Sequence, residues 1–234
     1  MSGIRRDFFV TGTDTGAGKT LVSVALLRAL RGQGLAVAGM KPVASGAERT
    51  PEGLRNGDAV ALAAESSRPW PYQVINPYCF EPPIAPHIAA TESGVEIRLE
   101  PIEQAFRTLH AGSDVVVVEG AGGILVPLSP QLSFADLPAA LGLEVILVVG
   151  LRLGCLNHAL LTAEAIRSRC LRLVGWVASQ VDPEFTRLEA NLDCLHRGLA
   201  APCLGVLGHC DAPDPDRAVG ALSLSPILQR GRRS

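Results

Sequence analysis

The chain has 234 residues, of which 47% are hydrophobic, and it carries 21 lysines and arginines against 23 acidic side chains. This length is typical of one α/β domain, so we predict a single domain over residues 1–234, with residues 229–234 as a flexible tail. The net charge of −2 excludes the basic field on which nucleic-acid binding usually depends, and we expect no nucleic-acid partner.

Cysteines and histidines show neither the spacing of a disulfide framework nor that of a zinc site. Six cysteines are scattered without a C-x-x-C pair, and the five histidines have no metal-ligand pattern. Reduced thiols are typical of the cytoplasm. Arg5-Arg6 is followed by too short an apolar run for an export signal, and no run reaches the length of a membrane helix. We therefore predict a cytoplasmic protein without a membrane partner.

In chain order, short apolar runs alternate with stretches of helical periodicity. The predicted strands are 7–12, 36–43, 114–120, 144–150, 173–179 and 203–208, and the predicted helices are 19–31, 100–110, 157–169 and 184–199. This alternation is typical of a mostly parallel sheet with crossover helices. Several strands are apolar on both alternations, which indicates that both faces of the sheet are covered. We predict an α/β fold with helices on both faces of a central sheet.

Segment 44–91 breaks this alternation because it is rich in proline, serine and glycine. We expect no regular element in its stretches RPWPYQVINPY and FEPPIAPH, since proline fixes φ and removes a backbone donor. A long loop inside a compact domain usually has a function or is disordered. Because Trp70, Tyr72, Tyr78 and Phe80 supply apolar mass, we predict an ordered lid or substrate wall.

A glycine-rich loop, TGTDTGAGKT at 11–20, follows the first predicted strand and opens the first predicted helix. It ends on the GKT of the phosphate-binding pattern G-x-x-x-x-G-K-[ST]. The first glycine of that pattern is displaced, because Thr13 stands at its position and Gly12 comes one residue earlier. The context of strand, loop and amphipathic helix favours a nucleotide site over a chance turn, and it predicts a fold of the P-loop NTPase type.

The residues of this loop supply the parts that hold phosphate. Gly16 and Gly18 let the backbone approach phosphate oxygens, and the first N–H groups of the helix have no intrahelical partner and point at the anion. Lys19 is expected to reach the outer phosphates, and the Thr20 hydroxyl is expected to join a magnesium shell.

Three charged residues are candidates for the same site, because loops at the carboxyl ends of parallel strands converge. Glu119 ends the most apolar strand and is the expected metal-directed acid. Asp58 is either a magnesium ligand or the N-cap of a helix. Lys41 is either a surface lysine or a second cation that stabilises charge developing on oxygen, and its strand-end position favours the second. Asp114 and Asp136 are weaker metal candidates.

Six segments together resemble one family, the dethiobiotin synthetases. In order they are FVTGTDTGAGKT, GMKPVASGAERTPEGLRNGDA, NPYCFEPPIAPHIAA, VVVEGAGGILVPLS, VILVVGLRLGCLNHALLT and GWVAS, and they extend over nearly the whole chain. The displaced first glycine is normal in that family. The resemblance implies an ATP-dependent cyclo-ligase of biotin biosynthesis that converts 7,8-diaminopelargonate and CO2 into dethiobiotin, ADP and phosphate. The implied intermediates are a carbamate and a carbamic-phosphoric anhydride.

The resemblance also implies which residues contact the nucleotide and the metal. The implied ATP contacts are Gly16, Ala17, Gly18, Lys19, Thr20, Leu21, Asp58, Glu119, Gly120, Ala121, Gly122, Ser179, Gln180, Gly208, His209 and Cys210. The implied Mg²⁺ ligands are Thr20, Asp58 and Glu119. Lys19 and Lys41 are the implied catalytic residues.

Two further groups are implied to hold the substrate. Thr15 and Ser45 would contact its reacting end. Its distant carboxylate would be received by Gly154, Cys155, Leu156 and Asn157 of the partner subunit. A homodimer is therefore part of the predicted active site.

Three departures from the family pattern concern the base and ribose of the nucleotide. Gly16 replaces an acidic residue, Ser179-Gln180 replaces an asparagine, and Gly208-His209-Cys210 replaces a segment of proline and an aromatic residue. The preferred base is therefore open at this point.

Three alternative functions fit parts of the sequence. One is a related P-loop enzyme that amidates a corrinoid carboxylate, although its larger forms need a glutaminase domain. Another is an ATPase switch of the ParA/MinD type, which would carry a second lysine near the start of the loop, where this chain has none. A third is a nucleotide-binding scaffold without activity, suggested by the three departures.

Overall fold

Six parallel strands form the central sheet in the computed structural model, which describes residues 6–228. The strands of the described chain are β1 (Phe8–Gly12), β2 (Val37–Met40), β3 (Val43–Ala44), β4 (Glu48–Thr50), β5 (Gly53–Arg55), β6 (Tyr78–Cys79), β7 (Val115–Gly123), β8 (Glu144–Leu151), β9 (Leu173–Gln180) and β10 (Cys203–Leu207). The central sheet has the order β10-β9-β8-β1-β7-β2, and every adjacent pair in it is parallel. The predicted α/β class is confirmed.

Helices connect these strands and cover both faces of the sheet. They are α1 (Lys19–Gly32), α2 (Gly57–Glu65), α3 (Tyr72–Ile75), α4 (Pro86–Glu92), α5 (Leu99–Ala111), α6 (Asp136–Leu141), α7 (Cys155–Ser168), α8 (Leu188–Leu199), α9 (Pro215–Ala221) and α10 (Ser225–Leu228). None of the helices within residues 6–228 has the length and apolar character needed to cross a membrane. The predicted tail at 229–234 lies outside the described residues.

The two apolar faces of β7 belong to two separate cores. Val116 and Val118 of β7 pack in one core with residues of α5, whereas Val115 and Val117 pack in the other with residues of α1. Successive side chains of a strand point to opposite faces, so a strand between two helical layers must be apolar throughout. This explains the continuous apolar runs in the sequence.

Two predicted elements are shorter in the structure, and hydrogen bonds near their ends explain the difference. The predicted strand 36–43 leaves the central sheet after Met40, because the Lys41 N–H donates to the Ile75 carbonyl of α3 at 2.8 Å. The predicted helix 184–199 begins only at Leu188. Before it, Asp182 forms a turn in which its carboxylate accepts from the Glu184 N–H at 2.9 Å.

The prediction that the proline-rich stretches of segment 44–91 hold no regular element is wrong. Helix α3 and strand β6 lie in or at the end of the first stretch, and α4 begins in the second. Pro71 is the N-cap of α3 and Pro86 stands in the first turn of α4. Proline is tolerated there because an N–H at the start of a helix has no intrahelical partner. The segment is ordered, with Ile75 and Phe80 buried.

Candidate active site

The loop between β1 and α1 depends on glycine for two different reasons. Gly18 is the N-cap of α1 with φ of 90°, and a Cβ on it would lie 2.5 Å from the Ser179 Oγ. Gly12 is at the end of β1, where a Cβ would lie 3.0 Å from the Asp14 carbonyl oxygen and 3.2 Å from the Ala17 Cβ. The displaced first glycine therefore lets the loop fold closely over the end of its own strand.

Lys19 extends back under this loop. Its side chain is buried, and its Nζ donates to the Asp14 carbonyl at 2.9 Å. Burial, together with the nearby positive charge of Lys41, lowers the pKa of Lys19 to about 8. An anionic phosphate beside the ammonium would offset both effects, since an opposite charge favours the charged form.

Lys41 forms the centre of a buried charge cluster. Its Nζ donates to Glu119 Oε1 at 2.6 Å, to Asp58 Oδ2 at 2.8 Å and to the Gly120 carbonyl at 3.1 Å. The Lys41 side chain is 3% exposed and that of Glu119 is 0% exposed, so the surface-lysine alternative is wrong. Burial lowers the Lys41 pKa, but the charges of Glu119 and Asp58 outweigh it and raise the pKa overall.

Asp58 belongs to this cluster and is not a helix cap. The N-cap of α2 is Asn56, whose Oδ1 accepts from the Ala59 N–H at 3.2 Å. Burial raises the pKa of Asp58, but attraction by the Lys41 ammonium outweighs it, so the pKa lies below its usual value. Asp58 is thus a carboxylate near neutral pH, directed towards the loop.

The oxygens around Thr20 suit a small divalent cation. The Thr20 Oγ1 lies 2.8 Å from Asp58 Oδ1 and 3.0 Å from Glu119 Oε1, yet a hydroxyl has a single proton to donate. Glu119 Oε2 is buried and has no hydrogen-bond partner within residues 6–228. Two carboxylates and a hydroxyl are hard oxygen ligands of the kind that Mg²⁺ takes in nucleotide sites. No group of three His, Cys, Asp or Glu side chains suited to a metal occurs in the described chain.

A cavity of about 1350 Å³ opens beside the loop and the charge cluster. The predicted site residues that line it are Thr15, Gly16, Gly18, Lys19, Thr20, Leu21, Lys41, Ser45, Asp58, Ala121, Gly122, Ser179, Gln180, Gly208, His209 and Cys210. Ala17, Glu119 and Gly120 are buried and do not line it. Pro83, Ile84 and Ala85 from the proline-rich segment form part of its wall.

Comparison with known proteins decides what kind of site this is. A family model described as an AAA domain matches residues 6–214. An ATP-dependent dethiobiotin synthetase BioD of Xanthomonas oryzae pv. oryzae (strain PXO99A) is 54% identical over 217 residues, covering 93% of this chain and 96% of the relative. The chain belongs to the dethiobiotin synthetase family. A relative with the same name from Pseudomonas paraeruginosa (strain DSM 24068 / PA7) is 52% identical over 221 residues, covering 94% of this chain and 97% of the relative.

Membership of the dethiobiotin synthetase family confirms the resemblance predicted from the sequence, and with it the class of ATP-dependent cyclo-ligases. Solved structures agree on the fold alone. A ParA family ATPase from Chlorobium tepidum TLS superposes with a TM-score of 0.57 at 14% identity, covering 97% of this chain and 94% of that one. The MinD cell division protein of Aquifex aeolicus gives 0.54 at 13% identity, with coverages of 97% and 91%. The predicted P-loop NTPase-type fold is confirmed.

One group of predicted site residues does not line the cavity. Gly154 is the N-cap of α7, and residues 154–157 do not line the cavity of their own chain. Cys155 is buried beneath the helix start, whereas Leu153 is 97% exposed. The structure of one chain therefore does not bring these residues to the cavity.

The predicted base end of the cavity has Ser179 and Gln180 where the family pattern has an asparagine. Ser179 and Gln180 end β9, and Gly208, His209 and Cys210 follow β10. The Cys210 Sγ accepts from Arg217 Nη1 at 2.6 Å. Polar groups of a different kind therefore line this end.

Arg152 contacts the phosphate loop but is not among the site residues predicted from the sequence. It follows β8, and its Nη2 donates to Asp14 Oδ2 at 3.1 Å and to the Thr15 carbonyl at 3.2 Å. A basic residue directly after a central strand was the available signal, because that position lies at the ligand-binding edge of the sheet. Arg152 ties the phosphate loop to the segment that leads into α7.

Gly18→Ala should weaken ATP binding at least about tenfold, because a residue other than glycine at positive φ costs about 1–2 kcal/mol and the new Cβ would also strike Ser179. Gly16→Ala is the matched control, since Gly16 has φ of 72° but its Cβ would meet nothing within 4 Å. Titration calorimetry with ADP separates the two contributions. Equal losses in both variants would show that the contact with Ser179 is unimportant.

Proposed function

We propose that this chain converts 7,8-diaminopelargonate, CO2 and ATP into dethiobiotin, ADP and phosphate. The observation that carries the proposal is the buried Lys41–Glu119 pair beside the phosphate loop, in which Lys41 lines the cavity together with Asp58 and Thr20. Such a cluster suits a reaction in which negative charge gathers on oxygen next to the γ-phosphate. Family membership supplies the identity of the reaction.

The proposed reaction has three steps. One amine of the substrate forms a C–N bond to CO2 and loses a proton, which gives a carbamate. A carbamate oxygen attacks the γ-phosphorus, the bond to the bridging oxygen breaks, and ADP leaves. The second amine then attacks the carbonyl carbon of the mixed anhydride, phosphate leaves, and the ureido ring closes with loss of a proton.

The residues of this chain support these steps by holding charge in place. Lys41 retains its proton because its pKa is raised, so it can donate hydrogen bonds to the carbamate and to the phosphoryl oxygens. Lys19 would do the same for the outer phosphates of ATP. Mg²⁺ held by Thr20, Asp58 and Glu119 would neutralise phosphate charge. Ser45, which also lines the cavity, would contact the reacting end of the substrate.

We also propose a homodimer in which residues 154–157 of one subunit bind the substrate carboxylate of the other. Helix α7 has 14 residues and no side-chain cap at Gly154, so its first N–H groups suit a carboxylate. The exposed Leu153 and Leu161 beside it suit an interface. Mixing two inactive variants, Lys41→Ala and Gly154→Val, should restore part of the turnover through mixed dimers. No recovery in verified mixed dimers would place the whole site in one subunit.

Cytoplasmic localisation is the third part of the proposal. All six cysteines are free, and reduced thiols are typical of the cytoplasm. Recovery of the protein from the periplasmic fraction of its host would contradict this placement.

A product assay tests the function directly. Purified protein with diaminopelargonate, bicarbonate, ATP and Mg²⁺ should form dethiobiotin and ADP in equal amounts, and a chelator or omission of the diamine should stop both. ATP hydrolysis that needs no diamine and is stimulated by lipid or DNA would instead support a switch of the ParA/MinD type. Glutamine-dependent amidation of a corrinoid would support the amidating enzyme, and nucleotide binding without any product would support an inactive scaffold.

A further inference from the structure

The three residues proposed to act near the reacting atoms come from separate parts of the chain. Lys41 follows β2, Ser45 follows β3, and Asp58 lies in the first turn of α2. The central sheet places Lys41, at the end of β2, but neither Ser45 nor Asp58. Their relative position therefore depends on contacts within the proline-rich segment and its neighbours.

Asn56 joins two of these parts. Its Oδ1 caps α2 by accepting from the Ala59 N–H at 3.2 Å, and its Nδ2 donates to the Ser45 carbonyl at 3.2 Å. The residue is 7% exposed. One side chain thus fixes both the helix that presents Asp58 and the backbone that presents Ser45.

Asn76 fixes Lys41 in a similar way. Its Nδ2 donates to the Lys41 carbonyl at 2.6 Å and to the Tyr78 carbonyl at 2.9 Å, and the residue is 2% exposed. The Lys41 N–H donates to the Ile75 carbonyl at 2.8 Å. Both backbone polar groups of Lys41 are therefore held by the end of α3.

A single hydroxyl connects the two asparagines. The Tyr72 oxygen accepts from the Asn56 N–H at 2.8 Å and donates to Asn76 Oδ1 at 3.0 Å. The Arg55 guanidinium lies 4.2 Å from the centre of the Tyr72 ring. Burial raises the pKa of Tyr72 to about 12, so the phenol keeps its proton and can bridge the pair over the working pH range.

We propose that Tyr72 is a positioning residue, which acts through Asn56 and Asn76 to hold Lys41, Ser45 and Asp58 in the geometry that the reaction needs. This inference rests on the proposed function. Removal of the hydroxyl leaves the Asn56 N–H and Asn76 Oδ1 without this partner, and the two halves of the site can then shift relative to each other. The phosphate loop has no part in the network, so binding of ADP without Mg²⁺, which does not need Asp58 as a metal ligand, should be spared.

The chain offers a matched control, because it has two tyrosines. The Tyr78 hydroxyl contacts only the backbone of Arg98 among the described hydrogen bonds, at 3.1 and 3.4 Å. Tyr78→Phe would keep the backbone carbonyl that accepts a hydrogen bond from the Asn76 Nδ2. Tyr72→Phe and Tyr78→Phe therefore remove the same atom, once within the network and once outside it.

Tyr72→Phe should lower kcat for dethiobiotin formation about tenfold, since small misplacements of reacting groups cost up to about 100-fold, while the Kd for ADP measured without Mg²⁺ stays within about twofold of wild type. Tyr78→Phe should keep the wild-type kcat. Melting temperatures and circular dichroism accompany the kinetics. Equal kcat values in the two variants would overturn the inference, whereas an inactive wild type would refute the proposed function instead.

A second variant, Asn56→Ser, tests the same network if Tyr72→Phe does not fold. Asn56→Ser keeps an oxygen that can cap α2, because serine is among the preferred N-caps, but it loses the amide that reaches the Ser45 carbonyl. It should raise KM for the diamine several-fold, with an unchanged Kd for ADP without Mg²⁺ and a nearly unchanged melting temperature. Wild-type kinetics in Asn56→Ser would contradict the network.

Discussion

Lys41→Ala should lower kcat for dethiobiotin formation by about 10²- to 10³-fold or more, the range seen when one preorganised donor to developing charge is removed. The Lys41 ammonium contacts Glu119 and Asp58 and faces the cavity, so its loss removes the cation nearest the proposed carbamate. Steady-state assays of dethiobiotin measure the effect. Retention of full turnover would mean that Lys41 has no role in the chemistry.

The same substitution should also lower the free energy of unfolding. Glu119 is 0% exposed, and removal of one partner from a buried ion pair costs about 3–5 kcal/mol, because the other charge stays buried without compensation. The double variant Lys41→Met with Glu119→Gln removes both charges and is the matched control. It should recover much of the stability in urea titrations but none of the turnover, which separates the catalytic loss from the structural one.

Lys19→Ala should reduce kcat/KM for ATP by about 100-fold or more, because phosphoryl transfer relies on positioning and electrostatic stabilisation. Its effect on folding should be opposite to that of Lys41→Ala. The pKa of Lys19 is lowered to about 8 by burial, so the fold disfavours the charged form. That penalty is fully present below pH 8 and is lost as the pH rises through the unfolded value of 10.5.

At neutral pH, Lys19→Ala should therefore be at least as stable as wild type in urea titrations. Lys19→Met is the control for side-chain packing, since it keeps most of the buried stem without the charge. A large loss of stability in both variants at pH 7 would show that the buried ammonium is held favourably, contrary to its lowered pKa.

The phosphate loop and the sheet could be predicted because their signals are local. GKT after an apolar strand fixes the place of Lys19 and Thr20, and continuous valines in β7 indicate a strand covered on both faces. The family resemblance added roles for Lys41, Asp58 and Glu119, which spacing alone left ambiguous for Asp58. The structure resolves the ambiguity because Asn56, two residues before Asp58, is the N-cap of α2, which leaves Asp58 in the charge cluster.

The supporting contacts could not be predicted because they join residues through space. Tyr72 and Asn76 lie in a proline-rich stretch that the sequence indicated as irregular, yet proline at the start of α3 allows the turn that brings both to Lys41. Arg152 contacts Asp14 across 138 positions of the chain. Neither periodicity nor a short motif reports a single hydrogen bond of this range.

Transfer of oxygen from CO2 to phosphate tests the central claim, activation of a carbamate by the γ-phosphate of ATP, most directly. Enzyme with diaminopelargonate and MgATP in unlabelled water is mixed with ¹⁸O-labelled CO2 and quenched within the first turnovers, before the label exchanges with water. The account predicts dethiobiotin together with inorganic phosphate that carries one ¹⁸O atom from CO2. Dethiobiotin accompanied by unlabelled phosphate would contradict the mixed anhydride, and with it the role assigned to the cluster around Lys41.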